Sequence, residues 1–325
     1  MTKSLSGSTL VLDDSPARGR DVLVVDGNNL AHRAFHALPE AIATSWGLQS
    51  NALLGFANVL FKLLVDYGPR AVLVAWDRRP TERLAAAVDY KAGRKKMADG
   101  LAIQFPHFTE IVTAFGYPNV AVDGWEADDV LATLAATSER AGLSVCLVST
   151  DRDAFQLLSQ HTCLMMTPRG ASDVEVYTPE RLWERYAIRP DQIPDFIALK
   201  GDGADNIVAV PGIGEKTAAH MLAKYGSLEG ILAHLAELPP ARRETLSKHA
   251  DAARAARLLA TLRRDLDLGP EADPVRLASV PPDRSKMLTT FKKFEFKRLL
   301  ERVALLDAAI PAALADDTAS HTSSV

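Results

Sequence analysis

Asp21-Val22-Leu23-Val24-Val25-Asp26 is an unbroken apolar run closed by an acid and followed at once by Gly27. No polar residue alternates with the apolar ones, so the run suits a strand covered on both faces, as in a parallel sheet. Two more stretches share this form: Ala71-Val-Leu-Val-Ala-Trp76, closed by Asp77, and Leu143-Ser-Val-Cys-Leu-Val-Ser149, followed by Asp151. A fourth run is Thr162-Cys-Leu-Met-Met166. Helical spacing fills the gaps. Asn28 is placed to cap a helix through Phe35, and residues 51 to 66 put Leu53, Phe56, Ala57, Leu60, Leu63 and Leu64 on one face. A further helix is expected over about 105 to 115, and another opens at Glu126-Ala-Asp-Asp129 and ends near Gly142. Strands alternating with helices predict an α/β fold with a mostly parallel central sheet. Residues from about 179 to 305 read as helices joined by short loops.

The expected organisation is a flexible leader over 1–20, an α/β core over 21–178, a helical region over 179–308 and a flexible tail over 309–325. A chain of 325 residues, 47% hydrophobic, is long enough for a sizeable core and excludes wholesale disorder. No stretch is long and apolar enough to span a membrane, and the leader lacks a signal core, so a cytoplasmic home is expected. Cys146 and Cys163 have no zinc-site spacing and read as buried thiols. The net charge of −4 speaks against a nucleic-acid partner only on average, because acids and bases fall in separate places along the chain.

Ligand sites in such sheets lie beyond the carboxyl ends of the strands. Asp26, Asp77, Asp151 and Asp153 follow strands, while Glu126, Asp128 and Asp129 open a helix. Asp202 and Asp205 lie in a glycine-bearing loop. Taken singly, each acid is more readily explained as a cap or a turn residue. Together on one rim, each like-charged pair would cost several kcal/mol at a dielectric of about 20, so protons or cations must intervene. An all-oxygen set without His or Cys selects hard ions, Mg²⁺ or Mn²⁺. Two such ions can clamp the attacking and leaving oxygens of a phosphoryl displacement.

Arg78, Arg79, Arg83, Lys91, Arg94, Lys95 and Lys96 crowd the stretch after Asp77. Alone this would be a solvated loop; beside a carboxylate rim it is suited to hold a polyanion. Tyr90 is a candidate for stacking on an unpaired base. Farther on, Val210-Pro-Gly212-Ile213-Gly214-Glu215-Lys216 reads as a hairpin between helices whose backbone N–H groups face a phosphate, with a plain helix–helix turn as the alternative.

These motifs, VDGNNLAHRAFHA from Val25, AWD ending at Asp77, YKAGR from Tyr90, EADD from Glu126, TDRDAFQLL from Thr150, KGDGADN from Lys200 and VPGIGEKTA from Val210, resemble the bacterial 5′ nuclease (flap endonuclease) family. That family includes the N-terminal domain of DNA polymerase I. The resemblance implies a PIN-like core, a helical arch over about 80–104 and a helix-hairpin-helix over about 205–225. It implies that Asp26, Asp77, Glu126, Asp128, Asp129, Asp151, Asp153, Asp202 and Asp205 bind two or three Mg²⁺ or Mn²⁺ ions. Lys91, Arg94 and Arg33 would act in catalysis. Arg83, Tyr90, Lys91, Arg94, Lys95, Gly212, Gly214 and Lys216 would contact DNA, and the hairpin would hold a K⁺.

Two departures touch the arch: Leu84-Ala-Ala-Ala-Val-Asp89 is unusually alanine-rich, and no family-type Pro follows Lys96. The expected activity is hydrolysis of DNA at 5′ flaps, 5′ ends and junctions by a monomer serving repair and replication, with protein partners left open. Two alternatives remain: a catalytically weak branched-DNA-binding module of the same fold, and a PIN-type ribonuclease. The complete set of acids opposes the first alternative, and the hairpin and chain length oppose the second.

Overall fold

The computed structural model describes residues 2–167 and 173–309. Six strands form one sheet: β1 (Val22–Asp26), β2 (Ala71–Ala75), β3 (Asn119–Val120), β4 (Val145–Val148), β5 (Thr162–Met166) and β6 (Glu175–Tyr177), in the order β3-β2-β1-β4-β5-β6. All neighbours are parallel except β5 and β6. The four foreseen strands are those whose apolar runs are covered on both faces. In β1, Val22 and Val24 enter the core on one side of the sheet, while Leu23 and Val25 enter the core on the other. β3 and β6 were not foreseen; at two and three residues they are too short to carry a pattern.

The strand order reverses about β1, with β2 on one side and β4 on the other. The crevice at their carboxyl ends is therefore the topological switch point where ligands bind in open sheets. β1 passes into the helix Gly27–Ala37 without a loop, and the cap is Asp26, not Asn28: its Oδ1 accepts from Asn29 N–H at 2.9 Å. The helix Asn51–Tyr67 lies where periodicity placed it and stops at Gly68, whose φ of 54° ends the run. The helix expected over 105 to 115 is shorter, a 3-10 turn at Phe105–His107 followed by Phe108–Ala114. The helix Ala127–Arg140 starts at the acidic run as expected.

Three expectations are corrected. Residues 2–20 are not a loose leader: Lys3 bridges Thr9, Leu5 N–H donates to Arg185 O, and Leu12 and Ala17 are buried. Leu12 O also accepts from Val176 N–H at 3.2 Å, which covers the free edge of β6. The basic segment is not an arch of long helices. It carries the six-residue helix Thr81–Ala86, turns through residues 88–93, and a four-residue helix, Asp99–Ala102. The expected tail from 309 falls almost wholly outside the described residues.

Beyond residue 178 the elements are helical, apart from one isolated bridge between Asp202 and Ile207. The helix Ile193–Lys200 packs against Glu215–Tyr225 and the long Pro240–Ala260. No helix among the described residues is long and apolar enough to cross a membrane. Cys146 and Cys163 face each other in register on β4 and β5 as buried free thiols.

Candidate metal centre and nucleic-acid interface

The carboxylates are fixed by backbone donors at the ends of the central strands. Asp26 Oδ2 accepts from Ser149 Oγ at 3.0 Å, tying β1 to the end of β4. Asp77 Oδ1 accepts from Ala127 N–H at 2.8 Å, so the acid after β2 caps the helix that carries Asp128. Asp151 Oδ1 accepts from Asp153 N–H at 2.9 Å. Asn28 and Asn29, which sequence reasoning used only as a cap and a motif letter, hold the rim together. Asn28 Oδ1 accepts from Asp77 N–H at 2.9 Å, and Asn29 Oδ1 accepts from Thr150 N–H and Oγ–H. Their place directly after a strand-ending acid was the available signal.

Crowding shows in the titration of these groups. Burial pushes Asp26 up to about 7 against the pull of Asn29 N–H, and the charges of Asp77 and Asp151 add to the rise. Burial, then Asp151 and Asp26, raise Asp128 well above the usual carboxylate range. Burial and the charges of Asp151, Asp205 and Asp202 do the same to Asp153, and burial also raises Asp151. The Oδ1 of Asp128 is buried without a hydrogen-bond partner. An orphaned carboxylate oxygen among mutually repelling acids fits a divalent cation, the group that would satisfy both.

Among the described residues, however, no three acids stand together closely enough to grip one ion. Glu126 and Asp205 are engaged by the basic segment. Lys91 Nζ donates to Glu126 and lies 3.4 Å from Asp205, and Arg94 donates to Asp205 Oδ1 at 2.9 Å. Burial alone would lower the Lys91 ammonium, but the charges of Glu126 and Asp205 outweigh it and raise it. Tyr90 corrects an expectation. Only 6% exposed, it donates its hydroxyl toward Glu126 (3.0 Å) and Asp205 (2.8 Å) and is not free to stack on a base.

Arg83 and Asp129 are corrected together. Arg83 is buried and donates to both oxygens of Asp129, to Glu126 (3.3 Å) and to the carbonyl of Leu259 (3.0 Å). Asp129 also accepts from the N–H groups of Glu126 and Arg263. Consecutive helix positions point about 100° apart, so Asp128 faces the rim while its neighbour is spent on an internal ion pair. Arg83 accordingly has no free donor face for DNA. Arg33 donates to the carbonyl of Thr167 at the end of β5 and touches none of the rim acids. Lys95 is exposed. Asp202 closes its own loop by accepting from Ala204 N–H at 2.8 Å.

The hairpin has the foreseen form. Gly212 takes φ 75°, Ile213 is buried as a plug, and Gly214 leads directly into the helix Glu215–Tyr225. Gly212, Gly214 and Lys216 are all exposed. Its approach is set by Gly201, whose φ is 76° and where a Cβ would meet Ala209 N at 2.7 Å. Only glycine fits that crossing.

Two family models cover this architecture: "5′-3′ exonuclease, N-terminal resolvase-like domain" matches residues 21–187, and "5′-3′ exonuclease, C-terminal SAM fold" matches 188–284. The chain belongs to the 5′-3′ exonuclease family. Among its relatives is DNA polymerase I of Bacillus caldotenax, 38% identical over 286 residues, covering 87% of this chain and 32% of that protein. The thermostable DNA polymerase I of Thermus aquaticus is 40% identical over 291 residues, covering 90% and 34%. The 5′-3′ exonuclease chain thus spans about a third of the length of these relatives.

Among solved structures, the T5 5′-exonuclease with bound divalent metal ions (zinc) superposes with a TM-score of 0.60 at 20% identity, covering 89% of this chain and 100% of that one. The catalytic core of Rad2 in complex with DNA substrate gives 0.60 at 13% identity, covering 93% and 96%. At these identities the likeness establishes a shared fold: a PIN-like parallel α/β core with a SAM-like helical region.

Proposed function

We propose that this chain is a divalent-metal-dependent nuclease that hydrolyses DNA phosphodiesters at 5′ flaps, 5′ ends and junctions. The observation that carries the reading is Asp128 Oδ1, buried and unpartnered amid Asp26, Asp151 and Asp153, whose carboxyl groups burial and mutual charge all raise. Asp26, Asp77, Asp128, Asp151 and Asp153 are the residues that would hold the ions, with Glu126, Asp202 and Asp205 completing the set. Mg²⁺ or Mn²⁺ fits this all-oxygen donor set. When bound, such ions supply Lewis-acid polarisation of the phosphodiester. Asp129 is left out of the set.

Lys91 and Arg94 exchange their carboxylate partners for the scissile phosphate, which positions it and stabilises negative charge developing on its oxygens. The hairpin around Gly212 and Gly214 would bind one duplex arm through backbone N–H groups and Lys216, with a K⁺ on its backbone carbonyls. This division suits a monomer in the cytoplasm serving DNA repair and replication, including the processing of Okazaki fragments, as fits relatives that are DNA polymerases. A binding module without catalysis is the second reading, favoured only by the engagement of Glu126 and Asp205 with cationic side chains.

A double-flap DNA labelled at its 5′ end, incubated with the protein in Mg²⁺, Mn²⁺ or EDTA, separates the two. Cuts at the junction with metal and none in EDTA are expected. Retention of the DNA without cleavage in any condition would leave the binding module.

A further inference from the structure

Residues 284–302 lie past both family-model matches and carry seven basic residues against two acids, in a chain whose net charge is −4. They form two short helices, Met287–Lys293 and Lys297–Arg302, joined through Phe294, Glu295 and Phe296. Met287, Phe291, Phe294, Phe296 and Leu299 face inward as part of the core. Lys286, Lys292, Lys293, Lys297 and Arg298 are exposed. Lys293 is paired with Glu110 at 2.7 Å, while no ion pair among the described residues involves Lys286, Lys292, Lys297 or Arg298. Glu295, the one acid at the joint, is occupied by the N–H and hydroxyl of Ser45. Segregation this sharp leaves a cationic face with no internal anion to answer it.

The face has a definite place relative to the rim. Starting at Asp26, the 11-residue helix Gly27–Ala37 spans about 16 Å. At its far end Asn51 donates to Phe35 O (2.8 Å) and Leu38 O (3.2 Å). The excursion between them is closed by a bridge from Ala43 to Gln49, and its tip extends about 10 Å. That tip docks on the basic joint: Trp46 Nε1–H donates to Lys293 O at 3.3 Å. The path from rim to joint is therefore shorter than one turn of duplex DNA, about 34 Å.

The two phosphate-seeking surfaces also lie on opposite sides of the sheet. Ile213, Ala218 and Leu222 of the hairpin pack in the core that takes Val22 and Val24, and the basic joint packs in the core that takes Leu23 and Val25.

We infer that Lys292, Lys297 and Arg298 form a second phosphate-binding surface, which holds a second duplex arm of a branched DNA while the hairpin holds the first. The inference rests on the proposed nuclease reading and adds to it the class of substrate that fills both sides of the rim: a junction with two duplex arms. The surface contacts backbone phosphates only, so it adds affinity without sequence preference.

The test measures binding of the whole protein in EDTA, over a range of salt, to a double-flap DNA with two duplex arms and to a single duplex with a 5′ overhang. The variants are Lys292→Gln/Lys297→Gln/Arg298→Gln, all at exposed positions, and Lys216→Gln in the hairpin, each checked for an unchanged thermal melt. Each phosphate contact contributes about 0.9 to the slope of log K against log salt. The triple variant is expected to lower that slope by about two to three on the two-arm DNA and to leave it unchanged on the single duplex, whereas Lys216→Gln lowers both. A triple variant that matches wild type on the two-arm DNA, or loses equally on both, overturns the second surface and leaves the nuclease reading standing. Wild-type protein that binds neither DNA overturns both.

Discussion

The Arg83 guanidinium grips Asp129 with two nitrogens while both side chains are withdrawn from solvent, 7% and 0% exposed. The same guanidinium reaches the carbonyls of Leu259 and Thr261, so one residue joins the basic segment, the acidic helix and the end of the helix Pro240–Ala260.

Arg83→Ala leaves Asp129 buried with its charge uncompensated, and is expected to destabilise the fold by about 3–5 kcal/mol. Urea unfolding followed by circular dichroism reads this directly. The pair Arg83→Met/Asp129→Leu, which removes both charges, should recover most of the loss. A single variant within about 1 kcal/mol of wild type would mean that the pair holds nothing.

Asp153→Asn keeps the shape of the side chain but removes one of the crowded charges. Cleavage of flap DNA is expected to fall at least a hundredfold while the melting temperature in EDTA stays level or rises, because burial and its acidic neighbours already disfavour the ionised form. Undiminished cleavage would remove this acid from the site.

Divalent ions that bind only the folded rim should stabilise it by mass action, about 2.7 kcal/mol at a hundred times the dissociation constant. Differential scanning calorimetry in EDTA, Mg²⁺ and Mn²⁺ checks this without DNA. Asp26→Asn/Asp128→Asn should abolish the metal-dependent rise; a rise of equal size in that variant would place the ions elsewhere.

At Gly212 the backbone is left-handed and a Cβ added there would meet nothing within 4 Å, so Gly212→Ala adds conformational strain and no clash. The expected penalty is about 1–2 kcal/mol. Because the strain relaxes by turning the hairpin, DNA affinity should fall several-fold while kcat on saturating flap DNA is kept. A loss in kcat with KM unchanged would argue against a binding role for the turn.

The sequence revealed most where a residue's surroundings leave a repeating mark. Strands buried on both faces show as unbroken apolar runs, and Asp26, Asp77 and Asp151 follow from where those runs stop. Asp128 and Asp129 show the limit: they are the same residue type, one position apart, and only the packed helix decides which faces the rim and which meets Arg83. Tyr90 and Arg83 lie in a stretch with no apolar periodicity, so their burial against Glu126, Asp129 and Asp205 arises from long-range charge pairing that a local pattern cannot carry. Residues 2–20 misled for the same reason, since their partners Val176 and Arg185 are distant in the chain.

β1 is shared by both cores: all five of its residues are buried, and alternate side chains serve opposite faces. Neither side of the sheet can therefore open without stripping the other's support. Backbone amides of β1 should be among the last in the protein to exchange with deuterium, released only by global unfolding. Asp26, the final residue of that strand, inherits the same endurance. Local fluctuation at the rim then falls to the residues that must move when substrate arrives, Lys91 and Arg94, while the carboxylate at its centre keeps its place for as long as the molecule is folded.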